Sequence, residues 1–138
     1  MSARRPLPWL DLAQEDLDGA SDLLALPKDH RSLVAYHVQQ AAEKAVKAAL
    51  ILRGVDPKKS HDIAVLAQGL DIDDPLYPFC ARLGAVSVYA TIFRYPDGDR
   101  PERPQLSELA GWIAEISGLV VRLREMVASM SDSRTGHE

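Results

Sequence analysis

Residues 30–53, HRSLVAYHVQQAAEKAVKAALILR, set the architecture of this chain. At about 100° per residue, Val34, Val38, Ala41, Ala42, Ala45, Val46, Ala48, Ala49 and Leu52 cover nearly half of a helical circumference. Asp29 stands where an N-cap belongs, and Gly54 follows where a helix stops. The stretch therefore reads as a central helix with a wide buried face.

Working outward, four further helical segments are separated by Pro, Gly and Asp clusters. On the N-terminal side, Trp9 to Leu26 places Trp9, Ala13, Leu17, Ala20, Leu23 and Leu24 on one face, and Pro27 closes it. The acidic start, Asp11, Glu15 and Asp16, suits the positive end of the helix dipole. On the C-terminal side, His61 to Leu70 forms a short helix with Ser60 as its N-cap. Pro75 to Phe93 forms another, with Leu76, Phe79, Cys80, Leu83, Val86 and Ala90 in register. Arg94 to Pro104 carries three of the nine prolines and a glycine, so it is a loop. The last helix, Gln105 to Ala128, has a seam of Leu106, Leu109, Ile113, Ile116, Val120, Leu123 and Val127 at alternating steps of three and four, suited to bundle packing. No run alternates with period two long enough for a strand. The expected fold is all-α: an antiparallel up-and-down bundle of about five helices over residues 9–128, with a polar tail, 129–138, expected to fray or be disordered.

Composition narrows the function classes. With 138 residues the chain fits one domain, and a domain of this size buries roughly two-thirds of the surface its unfolded chain exposes. The net charge is -4 and the pI near 5.5, so the totals show no basic stripe of the kind duplex-binding proteins carry. Cys80 is the sole cysteine, which excludes an intramolecular disulfide and a cysteine-based zinc site, and fits a reducing, cytoplasmic setting. Its place on the apolar stripe makes it a core residue, and Trp112 beside the last seam is expected to pack rather than stack on a base. No metal site and no cofactor are expected, and no stretch reaches the length of a membrane-spanning helix.

The polar side of the central helix carries His37, Gln39, Gln40, Glu43, Lys44 and Lys47. His37, Gln40, Lys44 and Lys47 recur at steps of three, four and three, which aligns them in one strip, and Glu43 can pair with Lys47 one turn on. Such a strip is either a solvated face with ordinary ion pairs or the lining of a cleft or dimer interface. Two adjacent glutamines beside a histidine favour hydrogen bonding over mere solubility.

Residues 37–48, HVQQAAEKAVKA, resemble the signature helix of the HEPN family (higher eukaryotes and prokaryotes nucleotide-binding). Two further elements follow in order: Gly54 with Ser60-His61-Asp62, and Tyr89 with Arg94-Tyr95-Pro96-Asp97. The resemblance spans Trp9 to Val127. It implies a homodimer and a nucleotide or nucleic-acid ligand. It also implies a minimal nucleotidyltransferase as partner, since such pairs commonly form toxin–antitoxin systems. Catalytic members of the family are metal-independent ribonucleases that use an Arg followed after four to six residues by a His, the His acting as general acid or base. Arg94 matches the family's Arg. Asp99, Arg100 and Pro101 stand where the His should fall, and none offers an imidazole. Arg31 and His37 satisfy the bare spacing, but on a helix they point apart.

The resemblance therefore implies a non-catalytic member, not an enzyme, with Arg94, His37, Gln40, Lys44 and Lys47 as the nucleotide- or phosphate-binding residues. Two alternatives stand beside it. One is a ribonuclease with a degenerate motif, in which His37 or His61 replaces the missing His and Arg94 is catalytic. The other is a structural helical dimer. His61 and Asp62 read either as capping residues or as part of a cleft, and His30 and His137 as surface residues.

Overall fold

The computed structural model describes the backbone of residues 5–94 and 103–135 and the side chains of residues 5–91 and 103–130. The described residues form five α-helices and no strand: α1 (Pro6–Leu24), α2 (Arg31–Leu52), α3 (Ile63–Ala67), α4 (Tyr77–Arg82) and α5 (Leu106–Thr135). A 3-10 segment, Leu83–Arg94, continues α4. The expected all-helical bundle is the observed one.

The alanine- and valine-rich face of α2 is its organising surface. Val34, Ala35, Val38, Ala41, Ala42, Ala45, Val46, Ala48 and Ala49 are all essentially inaccessible. Small side chains let neighbouring backbones approach closely, so α1, α5 and the 3-10 segment can all pack on this one helix. Chain directions follow from cross-helix pairs. Asp16 meets His37 and Lys44, and Lys47 lies over Trp9, so α1 and α2 are antiparallel. Asp11 meets Arg124 while Leu24 lies beside Ala110 and Ile113, which sets α1 antiparallel to α5. Arg82 meets Glu115, and Arg122 lies over Phe79, which sets the α4/3-10 arm antiparallel to α5.

The end of α2 is a Schellman turn. Gly54 takes φ 78°, its N–H donates to the Ile51 carbonyl (2.9 Å), and the Val55 N–H donates to Leu50 (2.9 Å). Only this residue type takes that φ without strain, so the stop expected at Gly54 is the one observed.

Several local expectations are revised. The N-cap of α2 is His30, and Asp29 acts one position earlier, its carboxylate accepting the Arg31 N–H at 3.0 Å. The cap of α3 is Asp62, which accepts from the N–H groups of Ala64 (3.0 Å) and Val65 (3.4 Å), while Ser60 accepts from Asp62 N–H. The continuous helix expected over 75–93 is one α-turn and a half followed by 3-10 geometry. Its buried positions explain why: Cys80, Leu83, Val86 and Tyr89 recur every three residues, the period of a 3-10 helix, whereas Phe79 is 40% exposed. At Gly84 an added Cβ would stand 3.0 Å from Ala64, so this arm lies close against α3. Ser87 reinforces the contact by accepting the Ile63 N–H at 3.0 Å.

The last helix runs beyond Ala128 to Thr135. Residues 129–135 contain neither Pro nor Gly, and a helix already nucleated extends through polar residues at small cost, which an apolar pattern cannot reveal. Its buried seam is Leu109, Ile116, Leu119, Val120 and Leu123; Leu106 is 54% exposed. Cys80 is buried, and Trp112 packs against the core, both as expected. No helix among the described residues is long and apolar enough to cross a membrane.

Candidate functional site: a paired seam and a cationic cleft

The strip read on α2 lies along the seam where α1 meets it. His37, Gln40, Lys44 and Lys47 come together on this edge as half-buried side chains. Two carboxylates organise them. Asp16, on α1, accepts from His37 Nδ1–H at 2.9 Å and from the Lys44 ammonium. Glu43, on α2 and only 6% exposed, accepts from Gln39 Nε2 (3.2 Å) and His61 Nδ1–H (3.1 Å) at Oε1 and from Lys47 Nζ (3.1 Å) at Oε2. Gln39 is fully buried and receives a hydrogen bond from Gln40 Nε2 at 2.8 Å. A chain of amides thus leads from the surface to a buried carboxylate, and no buried side-chain polar atom among the described residues lacks a partner.

This seam has chemical consequences. Each lysine uses one of its three donors on a carboxylate, and the Lys47 ammonium also lies over the Trp9 ring. Each imidazole is oriented by its Nδ1–H, which turns Nε2 toward the other side. For His37 that side is the backbone of α1 at Gly19; for His61, whose side chain is 84% exposed, it is solvent. The expected Glu43–Lys47 pair is present. Asp16 and His61 are not legible from the sequence as its neighbours, because their contacts depend on the register between elements. Arg31 and His37 diverge as expected from helical rotation: Arg31 pairs with Asp29 and His37 with Asp16. Arg94 closes the 3-10 segment, but its side chain lies outside the described residues. So do Tyr95, Pro96, Asp97, Asp99, Arg100 and Pro101, and with them the region that would hold the ribonuclease histidine. No cluster of metal-ligating groups occurs among the described residues.

A second cluster lies at the far end of α2. The end of α1, the start of α2 and the start of α5 enclose a cleft of about 510 Å³ whose walls include Leu23, Leu26, Val34 and Leu106. Lys28, His30 and Arg31 stand on its rim. Asp29 ties this rim to the segment before α5: it accepts from Arg31 Nε and Nη2 at 3.1 Å each and from Arg103 Nη1 at 3.0 Å. Hydrogen bonds from Arg31 hold the Asp29 carboxyl down at about 2, with the nearby Arg103 charge adding to them. The sequence signal for this cluster is the charged run Lys28-Asp29-His30-Arg31 after Pro27.

Family models match the HEPN domain over residues 7–135. The chain belongs to the HEPN domain family. Two solved structures share its fold. The crystal structure of TT1696 from Thermus thermophilus superposes with a TM-score of 0.68 at 24% identity, covering 88% of this chain and 97% of that one. ST0689, an archaeal HEPN homologue, gives 0.63 at 21% identity, covering 90% and 98%. Among curated protein sequences none matches. In this HEPN chain the signature helix is α2, and its polar letters are the residues of the seam: Gln39 and Glu43 face inward, and Gln40, Lys44 and Lys47 line the edge.

Proposed function

We propose that this HEPN protein is a non-catalytic binding partner: it takes the phosphate of a nucleotide or of a nucleic acid and acts, as a homodimer, with a minimal nucleotidyltransferase in a toxin–antitoxin pair. The binding residues in this reading are Arg94 with His37, Gln40, Lys44 and Lys47. The observation that supports it is the orientation of Lys44 and Lys47, each clamped by a carboxylate and each left with donors to spare on one edge of α2. Cations already fixed in place lose little side-chain entropy when a phosphate arrives. A guanidinium at Arg94 would add a planar fork suited to phosphate oxygens.

The non-catalytic side of the reading rests on the missing motif histidine and on the two imidazoles available to replace it. His37 and His61 are each tied through Nδ1 to a different carboxylate, and the Nε2 of His37 is turned against α1.

The test uses a fluorescent oligoribonucleotide and the purified protein. Binding without cleavage is expected, weakened about tenfold by Lys44→Ala and by Arg94→Ala, and falling steeply with salt because phosphate contacts release counterions. Cleavage lost in both Arg94→Ala and His37→Ala would overturn the non-catalytic reading. Co-expression with a minimal nucleotidyltransferase should give a co-purifying complex, and independent elution would remove the partner from the reading.

A further inference from the structure

We propose that the cavity where the start of α1 meets the end of α2 and the later turns of α5 is a binding site for a medium-chain aliphatic monocarboxylate. The cavity measures about 480 Å³, within the range of small-ligand pockets. Antiparallel packing builds it, because one end of the bundle gathers the first turn of α1 and the last turns of its neighbours. Leu7, Ile51, Leu52, Val127 and Met130 give it aliphatic walls, and no aromatic side chain lines it. Leu7 is 43% exposed and Met130 51%, so both hold apolar area that a hydrocarbon chain would cover.

Charge selects the head group. Arg5 and Asp11 are the charged side chains on the cavity wall. Asp11 is committed to Arg124 at 2.9 Å, whereas the Arg5 side chain has no hydrogen bond or ion pair with any described residue. Arg5 and Arg124 against Asp11 leave one positive charge among the three, which suits a monoanion. A guanidinium presents parallel N–H donors that match the two oxygens of a carboxylate. The walls select the rest of the ligand. They carry no other charged or polar side chain, so a nucleobase or a peptide would leave donors and acceptors unpaired on entry, while an alkyl chain has none to lose. Other places in the molecule lack this combination. The groove of about 340 Å³ between Ser21 and Ile113 has no charged side chain on its walls. The cleft beside Asp29 mixes its apolar wall with a polar one, Gln105 and Ser107 included, and along the seam between α1 and α2 each lysine already faces a carboxylate.

Isothermal titration calorimetry of the full chain tests the proposal, with butyrate, hexanoate, octanoate, octanol and the dicarboxylate suberate as probes. Affinity should rise about twofold to threefold for each methylene added from butyrate to octanoate. Octanol and suberate should bind about tenfold more weakly than octanoate, one lacking the anionic head and the other carrying a second charge into apolar walls. Arg5→Ala should bring octanoate down to the level of octanol. Leu7→Ala/Met130→Ala should weaken octanoate severalfold and flatten the chain-length series, while the remote Arg82→Ala leaves both unchanged. All four side chains are exposed, and circular dichroism would confirm that each variant folds. No heat with millimolar octanoate, an affinity indifferent to chain length, or equal binding by wild type and Arg5→Ala overturns the site. Sedimentation velocity of Leu7→Asp/Met130→Asp should match the wild type; an oligomer lost in that variant would make the walls an interface between copies and overturn the assignment as well. Each of these outcomes is independent of the α2 strip, which is tested through Lys44 and RNA.

Discussion

The start of α2 and its middle turns handle charge in opposite ways. Along the seam with α1, each cation has a carboxylate within hydrogen-bond reach, and the carboxylates are nearly buried: 12% exposed for Asp16 and 6% for Glu43. At the cleft, Asp29 is exposed and shared by two arginines, with Lys28 and His30 left over. Matched, half-buried charges hold elements together, because removing one strands the others. Surplus, exposed charges add little to stability and are open to a ligand. The seam should therefore answer to mutation in folding as well as in binding experiments, and the cleft hardly at all in folding ones.

The largest effect should come from Glu43→Ala. The change leaves Gln39 without its acceptor inside the core and Lys47 without its counter-charge. A fully buried pair would cost more, but the exposure of His61 moderates the loss, so about 2–3 kcal/mol of stability is expected. Lys28→Ala in the cleft should change stability by less than about 0.5 kcal/mol. Urea denaturation of the two variants measures both. Equal losses would erase the distinction between the regions.

The core beneath both regions provides a reference that neither set of ion pairs controls. Burial pushes the Cys80 thiol from 9.0 up to about 12, with Asp74 adding to it. Burial, then Glu108, pushes Tyr89 from 10.0 up to about 12. Both acids are held neutral in the fold and ionise more readily when unfolded. Their contribution is complete below pH 9, declines through the window from about 9 to about 12, and is gone above it. Each tenfold change in proton affinity is worth about 1.4 kcal/mol, so Cys80 alone carries a few kcal/mol across the window. Urea midpoints should fall over that range, and Cys80→Ala should flatten part of the decline. An unchanged slope in the variant would place the titration elsewhere.

How much of this is legible in the sequence depends on how far apart the partners lie. The central helix can be read apart from its N-cap, because its period, its alanines and Gly54 are all local signals. The family resemblance rests on the same letters. The 3-10 arm reads as an α-helix because Cys80, Leu83 and Val86 also fit a helix of longer period; Tyr89, the next step of three, is the discriminating residue. Asp16 reads as a helix-dipole partner, and its bonds to His37 and Lys44 are invisible without the register of α1 on α2. The cleft is the least legible feature, since it joins residues from Leu23 to Ser107. In the sequence His30 looks like plain surface, and Arg31 stands out only for a motif it does not serve.

A gain in stability should come from the seam at Gly19. A Cβ there would lie 4.0 Å from the His37 ring, an ordinary contact, and the backbone is helical without a positive φ. Gly19→Ala should stabilise the fold by about 0.5–1 kcal/mol through helix propensity alone. A loss instead would mean that the His37 ring needs the open face of α1 to reach Asp16, which thermal melts of Gly19→Ala and Gly19→Ala/His37→Ala together would reveal.

The smallest effect on folding, and the one that separates the two regions most directly, concerns Asp29. Its carboxyl sits near 2, below the ordinary 3.8, chiefly through the Arg31 hydrogen bonds. A depressed acid contributes stability that is complete above its unfolded value and is lost as pH falls from about 4 toward 2. Because Asp29 is exposed, that loss should be slight, and Asp29→Asn should barely move the urea midpoint at neutral pH. Its effect on the cleft should be larger. Removing the single carboxylate raises the surplus of positive charge, but it also frees Arg31 and Arg103 from their common anchor. If charge governs the cleft's affinity for an anion such as inorganic phosphate, Asp29→Asn tightens it; if the held geometry governs, the variant weakens it. We expect weakening, because Arg31 and Arg103 lose the shared carboxylate that orients both guanidinium groups. Calorimetry of this one variant at two salt concentrations distinguishes the cases, since a charge effect fades with screening and a geometric one persists.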